Sequence, residues 1–416
     1  MDTDRGADGS GGAISGLRVL AAEMASEGRG WILLFLSAGH LLTLGTRLIY
    51  PALLPSIPET FELTLTTAGA TLSLLWVAFA LAQIPGGLIT DRIGERVTLA
   101  AAVLGSAVGV AVITATPVFA VFLAGLVVFG VASGIYGTPR ITVLSDIYPS
   151  RGGTAIGLQS AAGNVGTATL PVVAAAVAGV FGWRAGIAYV IPLFVVVAAG
   201  IWLVVPVRTS PPIDTTDEAT ATTVRRVVGD VLDRSVLIGT LAMTAMMFIY
   251  QAFTGFLPTF LVETKGFSEG TAATMLGIFF ASAVVFQPLA GGFADRYGER
   301  RLMGVLAGMT VVTVGAFPLV NTVVAVGVLA VVAGAQLGFW PPAFTYATGL
   351  LSDEVQGSGL GLLRTVVLLV GATGPVLVGR AADAGYFRQA FFALAALAAL
   401  TVGLTALLPG RSAVSS

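Results

Sequence analysis

From Trp31 onward the sequence keeps returning to apolar runs of about twenty residues, the length that crosses ~30 Å of hydrocarbon as one helix. Twelve such runs can be drawn, at 31–53, 67–88, 97–115, 119–138, 154–180, 185–205, 235–257, 271–292, 302–320, 323–346, 358–381 and 388–408. In lipid, every backbone N–H and C=O must find its partner within the protein, so only helices and closed barrels can span. A barrel needs short segments of alternating polarity, and the runs do not alternate. The sequence therefore predicts an all-α membrane protein with twelve transmembrane helices. Charge points the same way. Only 10% of the 416 residues are charged, against roughly 25% in soluble domains. That is too little to coat a soluble surface, and the hydrophobic content is far too high for a disordered chain.

Other function classes fall away for lack of parts. The net charge of −1 offers no basic excess for nucleic acid. There is no cysteine, so disulfides, thiolate metal sites and cysteine nucleophiles are excluded. A single histidine, His40, cannot make a metal cluster. No P-loop and no Ser-His-acid set is present, so an enzyme is not expected, and neither is a cofactor. Without a nucleotide site, any transport must draw on gradients.

Residues 1–30 read as a Gly-rich polar tail, and 409–416 as a second tail. The first lacks the early apolar run and cleavage site of a secretory signal. A linker at 206–234 opens with the turn-rich PVRTSPPIDTTDEATATT and continues as VRRVVGDVLDR, an amphipathic surface helix. It divides the spans into two groups of six, at 31–205 and 235–408. With both termini in the cytoplasm, fifteen basic residues, among them Arg92, Arg96, Arg140, Arg296 and Arg300, lie inside. Four (Arg184, Lys265, Arg380 and Arg388) lie outside or at the outer edge. This asymmetry predicts a multi-pass protein of the cell membrane with both termini inside.

The two groups repeat. Gly87-Leu-Ile-Thr-Asp91-Arg92-Ile-Gly94-Glu95-Arg96 returns as Gly291-Gly-Phe-Ala-Asp295-Arg296-Tyr-Gly298-Glu299-Arg300, at an offset of 204. Gln83 and Gln287 share that offset, as do Trp183-Arg184 and Phe387-Arg388, while Leu54-Pro55 and Leu257-Pro258 differ by 203. Parallel six-helix repeats are a known transporter plan.

These motifs resemble those of the major facilitator superfamily of secondary transporters. The resemblance rests on the Gly87–Arg96 signature, its echo at 291–300 and the Gly182-Trp183-Arg184 opening of the sixth span. It implies two six-helix pseudo-repeat bundles around a central cavity, working by alternating access, generally as a monomer. It also implies gating by Gly87, Asp91, Arg92, Gly94 and Arg96, and by Gly291, Asp295, Arg296, Gly298 and Arg300. Asp91 would meet the start of span 11 and Asp295 the start of span 5. A carboxylate there faces the positive end of a helix dipole. The membrane Arg that proton-coupled exporters often carry early in span 4 is missing from Phe119–Leu126.

Candidate binding residues follow from polar side chains inside spans. His40, Thr43, Arg47 and Tyr50 fall within ~80° of arc on one helix face. A charge at mid-bilayer costs at least ~2.5 kcal/mol, so such residues usually face water or a partner. Arg47 either lines a cavity or snorkels to the outer headgroups. The resemblance points this face inward. Arg364 is the second cation inside a span, and its repeat-equivalent, Ser160, lies on a polar face of span 5 with Asn164. Tyr250 and Gln251 in span 7 match the neighbourhood of Arg47, while Tyr136 and Trp340 match each other. Aromatics at equal depth can clamp a substrate or simply pack.

No Asp or Glu stands well inside a span, so a cation has no counter-charge there. Arginine offers a fork to carboxylate, phosphate or nitrate. The expected partner is therefore a small anionic solute such as an organic acid, moved by symport, exchange or uniport. The alternative is an exporter of neutral amphiphiles that uses the aromatics. His40 is the one group that titrates near neutrality, so it is the candidate for a coupling proton.

Overall fold

In the computed structural model the described residues are 28–209, 233–351 and 356–409. The expected tails before residue 28 and after 409, and nearly all of the expected linker helix, lie outside them. Among the described residues every element is helical. Eleven helices are long and apolar enough to cross a membrane: Arg29–Leu53, Leu65–Ile93, Glu95–Ala115, Phe119–Ile147, Gly152–Phe181, Trp183–Val204, Arg234–Lys265, Glu269–Tyr297, Val323–Leu350, Gly359–Asp383 and Phe387–Leu407. The twelfth, Glu299–Ala316, begins Glu299-Arg300-Arg301 and so carries three charges at one end. In chain order these are spans 1 to 12, with Glu299–Ala316 as span 9.

Local chemistry sets the ends of the helices. Thr64 and Ser268, 204 residues apart, stand before spans 2 and 8, and each side chain accepts from the backbone N–H three residues on. That satisfies one of the orphan donors of each first turn. Gly94 and Gly298 end spans 2 and 8 at φ +85° and +88°. Few residues other than glycine adopt such angles, so the two signature turns share one backbone solution.

Span 4 ends later than its sequence suggests. The expected span ended at 138, but the chain makes one turn after Ile135 and resumes as Pro139–Ile147. Proline suits the first position of a helix because its missing N–H needs no partner there. Arg140 therefore lies within the membrane-spanning region, not among the loop arginines. Span 10 is interrupted in the same way, by a 3-10 turn at Gly334–Phe339 before Trp340–Leu350.

The halves press together at the end of the bundle opposite the two signature turns. A methyl on Gly69 of span 2 would strike the carbonyl oxygen of Pro375 in span 11, and one on Gly379 would strike that of Leu65. A methyl on Gly277 of span 8 would lie 2.7 Å from the carbonyl oxygen of Ala168 in span 5. Backbones approach this closely only where side chains are absent. Asp383, at the end of span 11, accepts from the backbone N–H of both Leu65 and Thr66 at 2.8 Å, and from the Thr66 hydroxyl. Ser56 donates to Glu269 at 2.7 and 2.8 Å, a second link between the halves at this end. At the signature end Asp91, Arg92, Asp295 and Arg296 are exposed.

Candidate functional site

Between the halves lies a cavity of about 520 Å³, within the roughly 300–1,000 Å³ usual for small-molecule sites. His40, Thr43 and Arg47 reach it from span 1, Trp76, Phe79 and Gln83 from span 2, and Tyr136 and Arg140 from span 4. Asn164 enters from span 5, Tyr250 from span 7, Gln287 from span 8, Trp340 from span 10 and Arg364 from span 11. Seven of the nine candidate binding residues are thus brought together.

Arg47 does not snorkel. It is only 4% exposed. Its guanidinium carbon sits 3.6 Å from the Phe79 ring centroid and 4.9 Å from that of Trp76. Such cation–π contacts are worth ~0.5–2 kcal/mol each. They do not neutralise the charge, and the Arg47 Nε is buried without a hydrogen-bond partner. Trp76 meets Tyr250 edge-on at 6.4 Å, and Tyr250 meets Phe280 at 6.3 Å. This aromatic row carries the cavity lining from one half to the other.

Arg140 is the cation that sequence reasoning missed, having been counted among the inside loop residues. It donates to the Gln159 carbonyl oxygen. Gln159 in turn donates to the backbone carbonyl of Leu36 at 3.3 Å, which also accepts the Tyr136 hydroxyl at 2.7 Å. The guanidinium is thus held by a side chain that is itself fixed to span 1. The expected span 4 ended at 138, two residues short of Arg140. The His40 ring packs against Gly163, where a methyl would come within 2.6 Å of Cδ2. Arg364 is exposed, and the space it faces is the cavity.

Tyr50 and Gln251 are not in the cavity. Tyr50 is fully buried and packs on Phe129 at 5.9 Å between ring centroids. It stands at the far edge of the span 1 arc from His40, so the helix carries it into the protein interior. Gln251 is fully buried, and its amide donates to the Leu368 carbonyl at 3.5 Å. Tyr250, one residue earlier, takes the cavity face instead. The Asn164 amide donates to Gln287 at 2.9 Å, joining the two halves across the cavity. Gln287 and Gln83 first stood out only as repeat markers.

Among the described residues no carboxylate lines this cavity. Three guanidinium groups and an imidazole therefore face it without an acidic partner in its wall. Among the described residues no group of His, Cys, Asp and Glu could hold a metal ion.

The signature residues are partly structural. The Arg96 Nε donates to the Val205 carbonyl at 2.6 Å, and the Arg300 Nη2 to that of Ala406 at 2.9 Å. These carbonyls lie at the C-terminal ends of spans 6 and 12, which favour a cation. Both bonds stay within one half. Arg208 donates to the carbonyls of Asp91 and Arg92, tying the start of the linker to the first signature turn. Span 11, on whose start Asp91 was expected to dock, begins at Gln356–Gly359, directly after residues 352–355, which lie outside the described ones.

The Major Facilitator Superfamily profile matches residues 35–276 and 261–415. The chain is 25% identical to a hexuronate transporter of Bacillus subtilis (strain 168), covering 90% of this chain and 93% of that protein. It is 24% identical to multidrug resistance protein MdtG of Rahnella sp. (strain Y9602), covering 81% and 82%. In structure it is similar to a bacterial homolog of the human lysosomal transporter Spinster, solved inward-facing and unoccupied. The TM-score is 0.76 at 18% identity, covering 92% of this chain and 97% of that one.

Proposed function

The chain belongs to the major facilitator superfamily, and on that footing we propose that it carries a small organic anion across the cell membrane by alternating access. The observation that carries this reading is the cavity wall: Arg47, Arg140, Arg364 and His40, with no carboxylate among the described residues that line it. An empty site of this kind holds uncompensated positive charge, which an anion neutralises with charge-assisted hydrogen bonds. A cationic solute meets only repulsion. The relative that handles hexuronate, an organic acid, supports the reading.

With the signature end in the cytoplasm, as the arginine distribution favours, this conformation opens inward. Asp91 and Asp295 then become gate residues that dock when that end closes. Asp91→Asn should slow transport about tenfold while leaving equilibrium affinity within a factor of two, since one carboxylate at a helix terminus is worth ~0.5–2 kcal/mol. A collapse of binding in equilibrium titrations would place Asp91 in the site and not in the gate.

A second reading, export of neutral amphiphiles, is favoured by Trp76, Phe79, Tyr250 and Trp340 in the same wall. A thermal-shift panel separates the two. Carboxylates at a hundred times their Kd should stabilise the purified protein by ~2.7 kcal/mol, and neutral compounds of similar size should not. If only the neutral compounds raise Tm, the anion reading is wrong.

A further inference from the structure

The repeat pairs cavity positions of the two halves, and the pairing is chemically one-sided. Arg140 of the first half corresponds, at the offset of 204, to Phe344 of the second, and across spans 1 and 7, where the Leu-Pro pair repeats at 203, His40 and Arg47 correspond to Met243 and Tyr250. Tyr250 meets Phe280 as Arg47 meets Trp76, and it lines the cavity. Phe344 lines the cavity itself. Where the first half supplies guanidinium groups, the second therefore supplies apolar surface.

That surface continues into an annex of about 200 Å³. Its wall includes Met247, Phe280, Leu337, Phe344, Val367 and Leu368. Nine of its thirteen lining residues, Arg364, Asn164, Gln287 and Phe344 among them, also line the main cavity, so the annex is one side of that cavity, extended by Phe280, Leu337 and Val367.

We infer that the anion is amphiphilic, with an anionic head held by Arg47 and Arg140 of the first half and an apolar body of several carbons seated in the annex of the second. This rests on the anion reading above. A small inorganic anion fits the guanidinium groups but leaves the annex in contact with water. A neutral amphiphile fills the annex but leaves the guanidinium charge unanswered. Only a molecule with both parts uses both halves of the site. The two poles also lie on different bundles, so one ligand of this kind touches both moving parts at once. Arg364, on the wall that annex and main cavity share, meets the head from the side of the second half.

The test is a homologous series. Acetate, butyrate, hexanoate and octanoate are titrated calorimetrically into the purified full-length protein in detergent, with nitrate and 1-hexanol as controls and ligand partition into protein-free micelles subtracted. Affinity should rise about fourfold per methylene until the annex is filled. Nitrate should bind no better than acetate, and hexanol far more weakly than hexanoate. In Phe344→Ser the gain per methylene should shrink by half or more. A flat series with measurable acetate and nitrate binding overturns the amphiphile and leaves the anion. Hexanol binding with no binding of any carboxylate or nitrate overturns the anion reading itself. An unchanged slope in Phe344→Ser overturns the placement of the apolar body in the annex.

Discussion

Arg47→Ala should reduce transport in proteoliposomes by a hundredfold or more, while the protein melts within a few degrees of the parent. Truncating one partner of a buried, hydrogen-bonded charge pair costs about 3 kcal/mol, which is roughly a hundredfold in affinity. Little else depends on this side chain. Its guanidinium rests on Phe79 and Trp76, and its Nε has no protein partner to be left behind. The rings pack without it, since Trp76 also meets Phe79 and Tyr250. Arg47→Lys should fall between the two, because an ammonium keeps the charge but loses both the planar stack and the fork. Full transport by Arg47→Ala would remove the anion from consideration. Loss of folding, seen as a collapsed melting transition, would make Arg47 a structural residue.

The spans and the repeat were legible because each is written in many residues at once. A run of twenty apolar side chains survives any single misjudgement, and an offset shared by Gln83, Asp91 and Trp183 is hard to mistake. Single side chains were harder. Arg47 and Arg364 stood out as charges in apolar runs, but a periodic face says only which residues point together, not what they point at. That is why Tyr50, on the same face, ends in the packed interior. Gln251 sat beside Tyr250 in sequence, and one residue of rotation, about 100°, decides which of them meets the cavity. Arg140 lay just past the expected end of span 4 and directly after a proline, whose two roles, ending a helix and starting one, look alike in sequence. Gln159 is one polar residue of span 5. Its role in holding Arg140 depends on the Leu36 carbonyl, 123 residues away, which no local pattern reveals.

The same lesson applies to the gate. The sequence pointed to Asp91 and Asp295 as carboxylates that dock on a helix start in the other half. Among the described residues the contact of that type is made by Asp383, at the opposite end, on the first turn of span 2. The physics is the expected one, an acid answering orphan N–H groups at a helix N-terminus. What differs is which end is shut. A carrier of two halves must seal one end at a time, so a sealed end opposite the signatures and exposed signature acids describe a single state.

That state should be lost in Gly69→Val. The glycine lets the backbones of spans 2 and 11 meet, and the first methyl already collides with the Pro375 carbonyl oxygen. Backbone cannot yield as a side chain tip can, and span 11 is held at the same place by Asp383. Separating the helices by the width of a side chain breaks the two N–H bonds to Asp383 and the Gly379 approach to Leu65 together. Transport should fall below a hundredth of the parent rate, whereas equilibrium binding at the cavity should stay within about threefold, because no cavity residue changes. This is the reverse of Arg47→Ala, where binding itself is lost. The chain has no cysteine, so one introduced thiol reports cleanly on the interface. In Ala68→Cys, at a position 1% exposed, a membrane-impermeant maleimide should react slowly; adding Gly69→Val should speed the reaction at least tenfold. Gly403→Val, where nothing lies within 4 Å of the new methyl, is the matched control and should transport normally. Transport by Gly69→Val near the parent rate would mean that spans 2 and 11 do not need this approach to seal the end. Slow labelling with lost transport would mean that the variant is trapped with both ends shut, and that the seal lies elsewhere than at Gly69.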